Sequence, residues 1–238
     1  MGTDATVIDC RGLTKDYGHG AGLFDLSLTV ARGEIFGLVG LPNAGKSTLV
    51  RLFFDSEQPS SGMLTIFGLD PHHYSSEIRR RVGYLPEEIA QFPGVSAGYV
   101  LGLMAGLRGG IKSSCIQNLA ERLELNLNRR YDRLSRGNRH KVQLILALMH
   151  SPELLILDEP MAGLTQRIKT ELSTLLRERA ADGATVVLSS TQLSEIAPIC
   201  DRVGILRDGR LNGVGSPGDV ASISNDDTEP SSLSLRLA

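Results

Sequence analysis

From Gly40 to Thr48 the chain reads Gly-Leu-Pro-Asn-Ala-Gly-Lys-Ser-Thr, with the spacing G-x-x-x-x-G-K-S. An apolar run, Ile35 to Val39, precedes it with the character of a buried strand, and the run Ser47 to Phe54 after it has helical character. Strand, glycine-bounded loop and helix are the context in which this spacing becomes a phosphate-binding P-loop. The physics is local. The loop turns backbone N–H groups inward, and the helix N-terminus adds partial positive charge. Glycines at 40 and 45 let the backbone curl without an intervening Cβ. Lys46 then reaches the β- and γ-phosphates of a nucleotide, and the Ser47 hydroxyl suits Mg²⁺.

A second chemical feature lies far along the chain. Leu154 to Leu157 is a four-residue apolar run that ends in Asp158-Glu159. A strand buried on both faces pushes these carboxylates out at its C-terminal edge, where open α/β sheets bind ligands. Asp158 can orient Mg²⁺ or its waters, and Glu159 can polarise an attacking water. Alone, an acidic pair is an ordinary solvated strand end; the P-loop gives it meaning.

The remaining pattern alternates strands with helices. Thr6–Cys10 and Gly22–Val30 are expected as an antiparallel pair, followed after the P-loop helix by a turn at Ser60–Gly62 and a strand over Met63–Phe67. Pro71-His72-His73 is expected as a polar connection into a short helix, Ser75–Arg81, and then a strand, Val82–Leu85. Strand signals stop from about Glu87 to Arg136. Helices over Val95–Leu107 and Lys112–Leu125 there suggest an inserted helical subdomain, about 87–137. Helices over Asn138–His150, Thr165–Ala181 and Gln192–Cys200 follow, with strands at Thr185–Leu188, Val203–Arg207 and Arg210–Val214. The expected fold is α/β: a mostly parallel, helix-covered sheet with an antiparallel N-terminal part. Residues 1–221 are taken as one domain and the Ser- and Asp-rich residues 222–238 as a loose tail.

The bulk composition excludes several classes. Net charge is −2, with no basic bias toward nucleic acid. Cys10, Cys115 and Cys200 stand far apart, so neither a disulfide framework nor a zinc site is expected. No apolar run approaches the ~18 residues of a membrane span, and no signal peptide is expected. His72-His73 is expected as a solvated pair, and His19 and His140 as surface residues.

Leu134-Ser135-Arg136-Gly137-Asn138, upstream of Asp158, resembles the LSGGQ signature of ATP-binding cassette (ABC) transporter nucleotide-binding domains. The resemblance runs from about Val7 to Val220. Tyr17 stands where the family has an aromatic that stacks on adenine. Gly83-Tyr84-Leu85-Pro86-Glu87 is similar to the strand and start of the Q-loop, and Asp201-Arg202-Val203 with Asp208-Gly209-Arg210 is similar to the closing segment. The Gly33–Leu38 and Leu85–Glu87 stretches look most like exporters with a separate permease chain.

The resemblance implies a P-loop NTPase core of RecA type, with ATP and Mg²⁺ as cofactors. It implies a nucleotide held by Tyr17, Gly40, Asn43, Ala44, Gly45, Lys46, Ser47 and Thr48, with Ser135 and Gly137 supplied across a head-to-tail dimer. Glu159, Lys46, Glu87 and Thr191 fall at catalytic positions, and Ser47, Asp158 and Glu87 at metal positions. Implied partners are a transmembrane permease and a second nucleotide-binding subunit, a homodimer being expected ahead of a heterodimer. The implied location is cytoplasmic, on the inner face of the plasma membrane through the permease.

The chain departs from the family pattern at identifiable positions. Glu87 stands for the Q-loop glutamine, Thr165 for the D-loop aspartate, Asn138 for the last signature residue, and Pro42-Asn43 for the usual Asn-Gly. Ser189-Ser190-Thr191 lacks the switch histidine, so Thr191 occupies its place. A threonine hydroxyl is shorter than an imidazole and carries no positive charge near neutrality. Tight Mg-ATP binding with slow hydrolysis is therefore expected. The alternatives are a degenerate subunit that gates a complex by ATP occupancy with little turnover, and a non-transport cassette ATPase.

Overall fold

The computed structural model describes residues 6–226. Two sheets share the chain. Strands β1 (Thr6–Asp16), β2 (Gly22–Ala31) and β4 (Ser61–Ile66) form an antiparallel sheet in the order β2-β1-β4. Strands β3 (Ile35–Val39), β5 (Val82–Leu85), β6 (Leu154–Leu157), β7 (Thr185–Ser190), β8 (Arg202–Arg207) and β9 (Arg210–Gly215) form the second, ordered β5-β6-β7-β3-β8-β9. In the second sheet β5, β6, β7, β3 and β8 run parallel, and β9 closes the edge as the antiparallel hairpin partner of β8.

The apolar runs are continuous in sequence because both faces of the second sheet are covered. Successive residues serve opposite faces. Ile35, Leu155, Leu157, Val186 and Leu188 pack into a core with helices α3 (Ala97–Leu107), α4 (Ser113–Arg122), α5 (Arg136–Leu148) and α6 (Gln166–Ala181). Phe36, Leu38, Leu154, Ile156 and Val187 pack on the other side, against the antiparallel sheet and helix α1 (Lys46–Phe53).

Several boundaries differ from expectation for physical reasons. Strand β1 continues past Cys10 because bulges between Cys10 and Lys15 let pairing with β2 resume beyond Arg11-Gly12. Ser61 and Gly62, expected in a turn, open β4. Helix α2 spans Pro71–Arg81 rather than starting at Ser75. The Asp70 side chain accepts the His72 N–H at 2.9 Å, and Pro71 occupies the first helical position, where its missing N–H costs nothing. Helix α7 covers only Leu193–Ile196 of the expected Gln192–Cys200. Helix α8, Pro217–Asp226, was not expected. The proposed tail boundary at 222 falls inside it, and 227–238 lie outside the described residues.

His140 is a correction of character rather than boundary. It is buried in α5, not on the surface, with Nε2 2.9 Å from the Pro160 carbonyl oxygen. Burial pushes its pKa down, so the imidazole stays neutral and donates to that carbonyl. Cys10 and Cys200 are also buried, and burial pushes both thiols up to about 12, away from thiolate chemistry. No helix among the described residues is long and apolar enough to cross a membrane.

Candidate functional site

Because β3, β5, β6 and β7 are parallel, their C-terminal ends share one edge of the sheet. The loop after β3, Glu87 after β5, Asp158-Glu159 after β6 and Thr191 after β7 therefore meet there. They enclose a cleft of ≈ 320 Å³. Tyr17, Asn43, Gly45, Lys46, Ser47, Thr48, Glu87, Asp158, Glu159 and Thr191 all line it.

The phosphate loop is built by backbone demands. Gly45 sits at φ 107 immediately before α1, and a Cβ there would lie 2.8 Å from the Leu23 side chain. Asn43 holds a left-handed φ of 67, a conformation asparagine tolerates better than most residues. The first turn of α1 presents N–H groups that have no intrahelical acceptor. Gly40 and Ala44 do not face the cleft. A Cβ at 40 would meet the Leu206 carbonyl at 2.6 Å, and Ala44 is buried, so both shape the loop.

Lys46 is buried and donates to the carbonyls of Gly40 at 2.6 Å and Leu41 at 3.2 Å. Asp158 is 3 % exposed, and Ser189 Oγ donates to its Oδ1. The same Ser189 oxygen accepts the Glu159 N–H at 3.0 Å. Glu159 itself is left-handed at φ 48. Its carboxyl pKa is raised, first by burial, with Lys46 opposing and Asp158 adding to the rise.

At the open end of the cleft the Tyr17 hydroxyl donates to Glu57. Glu57 also pairs with Arg51 at 3.3 Å and Lys15 at 3.8 Å, and Lys15 Nζ lies 5.4 Å from the Tyr17 ring centre. The aromatic ring is thus fixed by its rim. Arg51 lines the cleft as well and was missed in the sequence, although it lies one helical turn beyond Ser47 on the same face.

Two residues expected at the site lie outside the cleft. Ser135 caps α5, accepting the Asn138 N–H at 3.3 Å. Gly137 sits one residue into that helix, where a Cβ would approach the Gly163 carbonyl to 2.8 Å. Their N-terminal turn has the backbone geometry that binds anions, and neither residue lines the cleft.

A second groove of ≈ 410 Å³, which shares Arg51 with the cleft, runs between α1, β5 and the end of α3. Phe54 and Tyr84 line it, with ring centres 4.5 Å apart. Arg51, Arg79 and Arg108 line it with no carboxylate. Burial lowers the Arg108 pKa.

Magnesium fits the donor set of the cleft. The ion favours hard oxygens and is held by one or two carboxylates together with substrate phosphates. The buried Asp158 carboxylate, held in place by a hydroxyl, and the Ser47 hydroxyl provide this.

The family profile described as ABC transporter matches residues 23–162. The probable multidrug ABC transporter ATP-binding protein YbhF of Escherichia coli K12 is 31% identical over 230 residues, covering 94% of this chain but 40% of the relative. This chain therefore spans less than half the length of that relative. The bacitracin transport ATP-binding protein BcrA of Enterococcus faecalis is 33% identical over 211 residues, covering 86% of this chain and 68% of the relative. A solved structure described as the ATP binding subunit of an ABC transporter aligns with a TM-score of 0.82 at 27% identity, covering 92% of this chain and 94% of that one. The profile takes in the phosphate loop, the signature turn and the carboxylate strand together, more than half of the 238 residues, and the chain belongs to the ABC transporter family of ATP-binding proteins.

Proposed function

We propose that the chain is the motor subunit of an ABC exporter, binding and hydrolysing Mg-ATP between two head-to-tail cassettes to drive substrate through a separate permease. The observation that carries this reading is the convergence of Tyr17, Lys46, Ser47, Asp158 and Glu159 on one cleft, while Ser135 and Gly137 stand outside it. A nucleotide in the cleft leaves its outer face open to a second copy's Ser135 turn. That turn brings a hydroxyl, backbone amides and a helix N-terminus to the γ-phosphate.

Within one copy the roles divide by chemistry. The rim-fixed Tyr17 ring offers a stacking face for adenine. The loop amides and Lys46 hold phosphate oxygens. Ser47, Asp158 and Glu87 are the residues that would hold Mg²⁺, which when bound supplies charge neutralisation along the phosphates. Glu159 accepts a proton from the attacking water, a role its raised pKa suits. Thr191 lines the cleft where an imidazole is absent, so turnover is slow.

The names of YbhF and BcrA support a transport role, and we read its direction as export. We assign the permease to the groove lined by Phe54 and Tyr84, the latter on the strand that leads into Glu87. We place the chain at the cytoplasmic face of the membrane through that contact, and take a second copy of itself as the dimer partner. A second reading, ATP-gated closure with little turnover, is favoured by Thr191 and opposed by Glu159.

The test is to purify the chain with its copurifying membrane partner and measure nucleotide trapping and phosphate release. Magnesium-dependent ATP trapping with measurable release is expected. Trapping without release selects the gating reading, and no trapping in any condition overturns both.

A further inference from the structure

We propose that Ser189 is a positioning residue for the carboxylate pair: it orients Asp158 toward the divalent cation and holds Glu159 in its left-handed turn. This rests on the Mg-ATP reading above.

The geometry begins with sheet order. Strand β7 lies between β6 and β3, so its end touches both halves of the cleft. On one side the Ser190 carbonyl accepts the Gly40 N–H at 3.2 Å, tying β7 to the start of the phosphate loop. On the other, Ser189 follows Leu188, the register partner of Leu157, which places it level with Asp158.

One oxygen then performs two functions. Ser189 Oγ spends its proton on Asp158 Oδ1 and one lone pair on the Glu159 N–H. Both residues are buried, at 5 % and 3 % exposure, so the two hydrogen bonds are shielded from bulk water. The hydrogen bond leaves Asp158 Oδ2 as the less encumbered ligand atom. The bond to the Glu159 amide constrains a backbone angle that a glutamate adopts reluctantly, at φ 48. Removing the hydroxyl frees both restraints. Side chains that orient metal ligands typically change metal affinity by about 10–100-fold when lost.

The experiment compares the full chain with Ser189→Ala and Ser189→Thr. A fluorescent ATP analogue is titrated first without Mg²⁺, then at fixed concentration against Mg²⁺. Ser189→Ala is expected to raise the half-saturating Mg²⁺ concentration about tenfold or more while leaving the Mg²⁺-free affinity within about twofold. Ser189→Thr, which keeps the hydroxyl, is expected to return the midpoint to within about threefold of the parent. The Mg²⁺-free titration also reports whether each variant is folded. An unchanged Mg²⁺ midpoint in Ser189→Ala overturns the proposal, as does a threonine variant no better than alanine. Parent protein whose nucleotide affinity ignores Mg²⁺ overturns the underlying functional reading instead.

Discussion

The ammonium of Lys46 lies 3.9 Å from the Glu159 carboxylate, with both side chains largely withdrawn from solvent. The lysine is already occupied by two loop carbonyls, so Glu159 gains only part of its charge. Desolvation wins, and the Glu159 pKa rises. The folded chain thus holds this proton more tightly than the unfolded chain. Its stabilising contribution is full at acid pH and is lost as pH rises through the raised folded value. Glu159→Gln is expected to increase the melting temperature at pH 7.5. The gain should vanish in acid, where Glu159 is protonated; calorimetry across pH measures it. The same variant should lose about 10²–10⁴-fold in phosphate release while retaining ATP.

Thr191→His restores a group that can contact the γ-phosphate and hold the attacking water. Turnover of the assembled complex should rise, by up to about 10²-fold, at nearly constant ATP affinity. Equal turnover in parent and variant would mean Glu159 suffices.

Tyr17→Ala removes the proposed stacking face. Base–aromatic stacking is worth about 1–3 kcal/mol, so ATP affinity should fall roughly 5- to 150-fold without loss of fold. Glu57→Gln keeps the ring but loosens its anchor and should cost less. Equilibrium binding of ATP to both variants gives the comparison.

Gly137→Ala would bring a methyl carbon to 2.8 Å from the Gly163 carbonyl, a backbone atom that cannot step aside cheaply. The signature turn and the loop after Glu159 would be forced apart. ATP binding to the isolated chain should survive, because Gly137 does not line the cleft, while ATP-dependent dimerisation should weaken. Sedimentation with Glu159→Gln as the trapping background tests it.

Charge reversal at Arg79 or Arg108 places a carboxylate in a groove that has none. Copurification of the permease should drop while ATP affinity stays constant. Retained permease with normal stimulation of turnover would remove this groove from consideration as the docking site.

What could be read in the residues followed from patterns that reinforce one another. The spacing from Gly40 to Ser47 and the carboxylates after Leu154–Leu157 led directly to one sheet edge. The missed helix start at Pro71 carried a signal, an aspartate followed by proline, that the flanking histidines obscured. Helix α8 carried the same kind of signal: Ser216 precedes Pro217 and accepts the Asp219 N–H at 3.3 Å. His140 was misread because a histidine amid polar Arg136–Lys141 looks solvated, whereas only the packing of α5 against the Pro160 carbonyl determines its surroundings. Ser189 had no local signal. Its role depends on β6 and β7 lying side by side, a relation between segments some thirty residues apart.

That adjacency has a mechanical corollary. The strand bearing the phosphate loop and the strand bearing the carboxylates are not neighbours; β7 fills the space between them, two interstrand steps or about 10 Å across. The span of the nucleotide cradle is therefore calibrated by an intervening strand rather than by either wall. Thr191 lies one residue past that strand, so the side chain at that position leaves the ruler unchanged as long as the residues up to Ser190 keep their pairing.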